Sequence, residues 1–500
     1  MNHADPAPAS TGPAGPAATD TPDAEDPLAV GKAARRVIRG SGVRVVGNVA
    51  GLLAGLISAP LVVRHLGGVN FGHYQTVTSV VFVVAALTEG GLANVAVRAF
   101  STASAADRRS LIANLTGLRL VMGVVGVAAT VGFGLLAGYT HVVVIGLVFG
   151  AGGYFASMVQ SSYSVALSGG LRLATLAGID LLRSLTTTIL LVALVVAGSA
   201  LTGFFAVVLV VQLVALVVTA RLVGRDVPLR PAFNRARWRM LIRETAVYAL
   251  ASTLGAIYFQ IAMISMSILD PGPQTGYYAL AFRIVEIGNG IPWLLAGSVL
   301  PVLAVAAGEP ERLRYVARRV FEGATILGGL FAIAIVIGAP FAIEFLAGAK
   351  EHEAIGVLRI MGIGVTATFL VASWGFVLLA LHRHRSLVLA NAGALLLAII
   401  LSLTLIPSLH ARGGAASTAV LELTLAGCYI ALLAARGITP SIGFIARFLL
   451  ALALGLGIGW LALAVHPVLG VVLGALVYLL VLWRSRAIPG ELFDSLPWRR

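Results

Sequence analysis

The chain has 500 residues, of which 59% are hydrophobic and 11% are charged, and its mean hydropathy is +0.96. A soluble domain carries roughly 25% charged and about 45–50% apolar residues, so this composition excludes a cytoplasmic enzyme, a nucleic-acid-binding domain and a disordered chain. The pI of 10.6 comes from basic residues scattered between apolar runs, which is typical of a membrane protein with many spans. The single cysteine, Cys428, lies in an apolar run and offers neither an internal disulfide nor a thiolate metal site.

Residues 1–40 are expected to form a cytoplasmic tail that is first disordered and then basic. The first thirty are rich in Pro, Ala, Asp and Thr, so they cannot bury enough apolar surface to offset the entropy of ordering. No apolar core follows a basic start within them, which argues against a secretory signal. The basic stretch before the first apolar run contains Lys32, Arg35, Arg36, Arg39 and Arg44.

A helix needs about 20 apolar residues to cross the hydrocarbon core of a bilayer. Fourteen segments meet this condition, and the predicted fold class is therefore an all-α integral membrane protein. The predicted spans are 44–63, 72–95, 111–135, 141–167, 173–197, 199–221, 241–269, 275–305, 316–345, 354–381, 386–408, 413–435, 443–465 and 467–484.

The distribution of basic residues predicts the orientation of these spans. With a cytoplasmic N-terminus, 28 of the 35 Lys and Arg residues fall on the cytoplasmic side. Only Arg64, Lys350 and Arg412 fall outside, and four arginines lie within spans. Short cytoplasmic loops carry such an excess, so both termini are predicted to be cytoplasmic in a multi-pass protein.

The longest predicted cytoplasmic loop divides the spans into two groups of six. An N-terminal lobe of 41–223 and a C-terminal lobe of 241–435 flank a basic linker of 224–240, and two additional helices in 443–484 and a tail of 485–500 follow. Phe71-Gly72-His73-Tyr74 recurs as Thr275-Gly276-Tyr277-Tyr278, so a Gly-x-Tyr lies at the outer mouth of the second helix of each lobe. Related halves around a central site are a common transporter plan, and we expect two pseudo-symmetric lobes.

Reactive side chains in a catalytic arrangement are missing from the sequence. The external loops hold at most about ten residues, and the histidines near outer helix ends are not spaced as metal ligands. No Walker motif is present. The sequence therefore predicts neither an enzyme nor a cofactor nor a resident metal.

Charged residues inside spans are the informative ones, because each costs about 2.5–3.5 kcal/mol at a helix centre and needs a partner or a wet cavity. Arg283 and Glu286 lie on one face of the eighth span, three residues apart. Glu286 can orient the guanidinium of Arg283, whose planar donors suit a phosphate. A structural ion pair between helices is the alternative.

Weaker candidates for a substrate cavity share the intramembrane or membrane-edge position. Asp180 and Arg183 repeat the spacing of three in the fifth span, where a self-neutralised pair is the alternative. Lone acidic residues could bind a coupling H⁺ or Na⁺, or pair with a charge on another helix. The further cavity candidates are Arg44, Asn48 and Arg64, of which the arginines could equally be membrane-edge anchors, and the candidates for ion coupling are Glu89 and Glu422.

The first two spans resemble the start of polysaccharide-transport flippases of the multidrug/oligosaccharidyl-lipid/polysaccharide (MOP) superfamily. The matching features are an Asn-bearing first helix, an Arg-His-Leu-Gly exit, Phe-Gly-x-Tyr and a Gly-Leu followed by Arg98, all within NVAGLLAGLISAPLVVRHLGGVNFGHYQTVTSVVFVVAALTEGGLANVAVRAFS. The eighth span, RIVEIGNGIPWLLAGSVLPVLA, resembles the eighth helix of the related lipid II flippases, whose Arg-x-x-Glu pair and late proline match Arg283, Glu286 and Pro301. The full arginine set of that branch has only Arg44 and Arg64 as loose counterparts here, which favours the polysaccharide-repeat branch.

This resemblance implies a flippase that moves a polyprenyl-diphosphate-linked oligosaccharide across the bacterial plasma membrane by alternating access. The implied partners are that lipid-linked oligosaccharide, membrane lipids, and the polymerase and glycosyltransferases of polysaccharide synthesis; no nucleic acid is expected. A drug/cation antiporter of the same superfamily and a lipid II flippase are the alternatives. A membrane glycosyltransferase or ligase is a third, which the short external loops disfavour.

Overall fold

The computed structural model describes residues 27–487 except 171, 225, 226, 229, 307 and 382. Side chains at 27–54, 56, 105, 247–248, 251–252, 293–298, 300–301 and 304 are outside this description. The described residues form thirteen helices and no strand. The helices are α1 (Pro27–Glu89), α2 (Leu92–Thr102), α3 (Ala105–Leu136), α4 (His141–Gly169), α5 (Leu173–Val196), α6 (Leu201–Val223), α7 (Arg235–Leu269), α8 (Pro273–Ala306), α9 (Pro310–Ala347), α10 (Glu353–Ala380), α11 (His384–Ala434), α12 (Ile442–Ala462) and α13 (Pro467–Arg484).

Two of these helices are each bent at one residue and carry two predicted spans. The backbone of α1 leaves helical geometry at Gly67, with φ 74°. The backbone of α11 does so at His410, with φ 54° and ψ −135°. Because α2 has only 11 residues and carries no span of its own, the other twelve helices accommodate all fourteen predicted spans. Ten stretches of the described residues are long and apolar enough to cross a membrane.

The strained backbone at His410 is held by contacts with the turn between α7 and α8 and with the start of α8. A positive φ is costly for a residue with a Cβ atom and persists only where surrounding contacts impose it. Here His410 Nδ1 lies 2.7 Å from Asp270 Oδ2, and the neighbouring Ala411 N–H donates to Gln274 Oε1 at 3.3 Å. The bend that joins two predicted spans is thus fixed by polar contacts at one end of the bundle.

The helices form two lobes, and buried residues of α1 share one apolar cluster with residues of the C-terminal lobe. In the N-terminal lobe, α1–α6, α4 packs against α3 and α6, and α1 packs against α5. In the C-terminal lobe, α7–α11, α10 packs against α8, α9 and α11. The lobes meet mainly through α1, which contacts α7, α8 and α9, while α2 and α3 also touch α7. This arrangement confirms the predicted fold class of two six-span lobes.

The two C-terminal helices pack on one side of the C-terminal lobe. α12 and α13 lie against each other and both contact α9. A Cβ atom at Gly455 would lie 2.9 Å from the Gly474 carbonyl oxygen, so small residues permit this close approach. α12 and α13 match the predicted spans 443–465 and 467–484 within a few residues at their ends.

At both termini and in the linker, the structure sets limits on the predicted boundaries. α1 begins at Pro27, so residues 27–40 of the predicted tail, most of which belong to its basic part, are helical. α7 begins at Arg235, within the predicted linker of 224–240. Residues 1–26 and 488–500, which include most of both predicted tails, lie outside the described part of the chain.

Candidate functional site

The lobes are held together at the helix ends that the arginine distribution predicts to be outside. Arg64, at the outer end of the first half of α1, donates from Nη2 to the carbonyl oxygens of Glu344 and Phe345 at 3.0 and 2.9 Å. The backbone N–H of Gly68 donates to Glu351 Oε1 at 3.2 Å. Each contact runs from the N-terminal to the C-terminal lobe, so the gap between the lobes is closed at this end.

The glycines of the repeated Gly-x-Tyr motif face each other across the same closure. A Cβ atom at Gly276 would lie 2.6 Å from the Gly68 carbonyl oxygen, and one at Gly72 would lie 3.1 Å from the Gly276 nitrogen. These neighbours are backbone atoms, which cannot rotate away as a side chain can. The two backbones approach this closely because neither motif has a side chain at the contact.

A cavity of about 490 Å³ lies on the other side of this closure. It extends from Glu286 and Asn289 on α8 to His384, where α11 begins. The turn before His384 is predicted to be cytoplasmic, so the cavity runs from the lobe interface toward the cytoplasmic side. Its volume falls in the roughly 300–1,000 Å³ typical of small-molecule sites. The wall comes mostly from α7, α8, α10 and α11, with Phe82 of α1 from the other lobe.

Arg283 and Glu286 form an ion pair next to this cavity, which Glu286 lines and Arg283 does not. Arg283 Nη1 lies 2.8 Å from Glu286 Oε2, and the two side chains are 33% and 24% exposed. Gln75 of α1 is buried and places its Nε2 3.5 Å from the same carboxylate oxygen, which brings the pair to the interface between the lobes. Glu286 orients the guanidinium through one nitrogen, and about a third of the Arg283 side chain is exposed.

Glu422 lines the same cavity deeper in the C-terminal lobe. Its side chain is buried, and Oε2 has no hydrogen-bond partner among the described residues. Near it, the Tyr429 hydroxyl donates to Asn391 Oδ1 at 3.0 Å, and both of these side chains also line the cavity. A carboxylate with a free oxygen beside an open space can take up a proton or a cation.

Glu89 lies in the N-terminal lobe and pairs with an arginine on another helix. Arg119 on α3 is fully buried, and its Nη2 lies 2.6 Å from Glu89 Oε1. Ser162 accepts from Arg119 Nη1 at 3.3 Å, and the Ser161 hydroxyl donates to Glu89 at 3.2 Å. Glu89 and Arg119 therefore neutralise each other across helices. For Glu89 this is the predicted alternative of pairing with a charge on another helix.

Asp180 and Arg183 line a smaller cavity between α2, α4 and α5, with a volume of about 190 Å³. Asp180 Oδ1 and Arg183 Nη1 are 3.8 Å apart, which is a loose pair. Arg183 also donates from Nη2 to Gln160 Oε1 at 3.2 Å. The fifth-span residues are thus in a polar pocket of the N-terminal lobe, away from the cavity that Glu286 lines.

The remaining candidates are placed differently. Arg64 contacts main-chain carbonyls of α9 at the outer closure and does not line either cavity described above. Arg44, Asn48 and Pro301 have side chains outside the described part of the chain. Arg359, the fourth intramembrane arginine, lies over the Trp460 ring at 4.6 Å from its centroid, between α10 and α12.

Sequence reasoning missed two buried glutamines that organise these sites. Gln75 contacts Glu286 across the lobe interface, and Gln160 contacts Arg183. Both are at most 5% exposed and lie within apolar spans. A polar amide within a span needs a hydrogen-bond partner, so these positions could have been found by treating intramembrane glutamines like intramembrane charges.

These features define a class: a helical membrane protein of two six-span lobes, closed at one end and hollow toward the other. The fold is similar to a solved structure described as the lipid II flippase MurJ in an inward closed conformation, with a TM-score of 0.73 and 14% identity over 88% of this chain and 97% of that one. It is also similar to an inward-facing multidrug resistance MATE transporter of the MOP superfamily, with a TM-score of 0.60 and 15% identity over 78% and 96%.

A third similar structure is the MATE transporter VcmN of Vibrio cholerae, with a TM-score of 0.52 and 15% identity over 81% of this chain and 98% of that one. No curated protein gives a significant match to the chain. The family described as polysaccharide biosynthesis protein matches residues 37–307. The chain belongs to this family and has the fold of the MOP transporters.

Proposed function

We propose that the chain is a flippase that moves a polyprenyl-diphosphate-linked oligosaccharide from the inner to the outer face of the bacterial plasma membrane. The diphosphate and the sugars are polar and cannot cross bare hydrocarbon, because their polar groups would lose water without finding partners. The cavity beside the lobe interface, lined mostly by the C-terminal lobe, offers such partners, and the polyprenyl tail can stay in the bilayer. Polysaccharide polymerase and glycosyltransferases are the proposed functional partners.

The observation that carries the proposal is the position of Arg283. Its guanidinium is at the interface of the lobes and is oriented by Glu286 through one nitrogen, and the side chain is a third exposed. The cavity that Glu286 lines continues to His384 near the predicted cytoplasmic side. Arg283 itself does not line this cavity but pairs with Glu286, which does. A planar, permanently charged donor beside a path from the cytoplasm is suited to receive a diphosphate.

Alternating access follows from the closure at one end and the opening at the other. Arg64, Gly68 and Gly276 join the lobes on the predicted outer side, so a headgroup would enter from the cytoplasmic side. Separation of these contacts would open the same site to the outside. Two lobes rocking about a central site are the usual way that transporters built from repeats achieve this.

The proposal is tested by Arg283→Ala in cells that depend on this chain for their surface polysaccharide. Loss of the guanidinium should abolish export and leave lipid-linked oligosaccharide on the inner face of the membrane. Arg359→Ala is the matched control, since it removes another intramembrane arginine that lies between α10 and α12. Normal export by Arg283→Ala, at normal protein level, would remove Arg283 from the mechanism.

The proposed orientation has an independent test in the same cells. In a Cys428→Ser background, single cysteines at Lys350 and Arg412 should react with a membrane-impermeant maleimide from outside. A cysteine at Arg436 should react only after the membrane is opened. All three native residues are exposed, so labelling depends on the side of the membrane. The reverse pattern would contradict an inward-open cavity.

Cation-coupled antiport is a second candidate function, and the position of Glu422 favours it. A buried carboxylate with a free oxygen in the cavity could exchange H⁺ or Na⁺ for a cationic substrate. Glu422→Gln should then abolish efflux of a cationic drug, while Arg283→Ala should spare it. The native chain could instead show no drug efflux while Glu422→Gln loses glycan export. That result would assign Glu422 to ion coupling of the flippase.

A further inference from the structure

The 190 Å³ pocket of the N-terminal lobe has a continuous polar wall. Gln160, Ser161, Ser164 and Ser168 recur along α4 at intervals that place them on one side of the helix, and all four line the pocket. Asp180 and Arg183 face them from α5, and α2 contributes small apolar side chains. The pocket therefore has polar side chains on two opposite helices.

Gln160 is the centre of a hydrogen-bond network in this wall. Its Nε2 donates to Ser164 Oγ at 2.9 Å and to Thr219 Oγ1 at 3.0 Å, and its Oε1 accepts from Arg183. The network fixes the amide in a buried position. Arg183 Nε is buried and has no partner among the described residues, so the guanidinium has a donor left over. Asp180 is 40% exposed and keeps oxygens free to accept.

The charges around the pocket cancel. Arg183 is opposed by Asp180, and the adjoining pair of Arg119 and Glu89 is joined to the pocket through Ser161, which donates to Glu89. An anion placed here would meet the carboxylate of Asp180 together with the guanidinium of Arg183, while the second pair lies behind the wall. The pocket thus offers many donors and acceptors without a net field, which suits a neutral molecule rich in hydroxyl groups.

The size of the pocket limits such a ligand. Its volume of 190 Å³ is below the roughly 300–1,000 Å³ of sites for drug-sized molecules. It corresponds to about six waters at about 30 Å³ each, which is room for one sugar ring. The pocket lies near the C-terminal end of α4 and the start of α5, and the turn between these helices is predicted to be cytoplasmic.

We propose that this pocket is a carbohydrate subsite that binds one neutral sugar ring through Asp180, Arg183 and the α4 hydroxyls. The inference rests on the proposed function, since it places a sugar of the transported headgroup in the N-terminal lobe. Two sites would then recognise the headgroup. Arg283 binds the diphosphate between the lobes, and the pocket of the N-terminal lobe selects the sugar. Carboxylate, guanidinium and amide groups can each bond to sugar hydroxyls in a directional way, which gives selectivity among sugars.

The test measures binding of free sugars to the purified full chain by saturation-transfer NMR. The probes are D-glucose, D-galactose, N-acetylglucosamine and L-rhamnose, with inorganic pyrophosphate as an anionic competitor. At least one sugar should receive saturation, and pyrophosphate should not displace it. Asp180→Asn should weaken that sugar about tenfold, the expected loss for a hydrogen bond to a charged group. Ser164→Ala, a milder change in the same wall, should weaken it less.

Two controls separate this inference from the proposed function. Thr188→Ala removes a hydroxyl of α5 that bonds to the Ser184 carbonyl and does not line the pocket, so sugar binding should be unchanged. Arg283→Ala should also leave sugar binding unchanged while it abolishes export. Absence of saturation transfer for every sugar, or equal binding by the native chain, Asp180→Asn and Ser164→Ala, would overturn the subsite. Export that depends on Arg283 would then still stand.

Discussion

Replacement of Gly276 by Ala should open the outer side of the protein. The new Cβ atom would lie 2.6 Å from the carbonyl oxygen and 2.7 Å from the carbonyl carbon of Gly68, on the other lobe. Both are backbone atoms, so the clash is relieved only if the lobes separate. Overpacking of this kind costs about 1–3 kcal/mol. The helix propensity gained by Ala is the same in both conformations and cancels.

A bias of that size shifts the equilibrium between outer-closed and outer-open forms by about 5–150-fold. This shift can be measured by double electron–electron resonance, as a change in the distance between spin labels at Ser199 and Lys350. These two residues lie at the outer ends of different lobes. The longer distances should gain population in Gly276→Ala. Gly290→Ala is the control, because it makes the same change in α8 with no atom within 4 Å of the new Cβ. Identical distance distributions in Gly276→Ala and the native chain would refute the close contact as a gate.

The remaining predictions concern the polar contacts of both lobes. Arg119→Ala should destabilise the fold by about 3 kcal/mol, near the lower end for a broken buried pair because Glu89 is 31% exposed, and should lower the melting temperature in detergent. Adding Glu89→Gln should restore part of the loss; a double variant no more stable than the single one would argue against the pair. Arg64→Ala removes two interlobe hydrogen bonds and should raise labelling of a cysteine at Val69, whereas unchanged labelling would show that the closure does not depend on it.

The helices were predictable from sequence because a membrane imposes a simple rule. Every span needs about 20 apolar residues, so hydropathy and the basic loops located all fourteen segments and the division into lobes. The repeat at Gly72 and Gly276 was visible as well. Its meaning was not, because direct contact between the two glycines depends on how the lobes dock, which local sequence does not encode.

The sites were predictable only in part, for the same reason. Arg283 and Glu286 are three residues apart on one helix, so their pairing follows from helical geometry. Glu89 and Arg119 are thirty residues apart on different helices, and their pairing needed the tertiary packing. Gln160 was overlooked because it is uncharged, although its amide holds Arg183 in the pocket.

Transport in proteoliposomes tests the role of Arg283 most directly. The purified chain is reconstituted with a fluorescent lipid-linked oligosaccharide, and dithionite destroys the label that reaches the outer leaflet. With the native chain, the destroyed fraction should exceed the initial outer-leaflet share and approach the whole; with Arg283→Ala it should stay at that share, and Arg359→Ala should behave like the native chain. Equal transport by Arg283→Ala and the native chain would contradict the central claim.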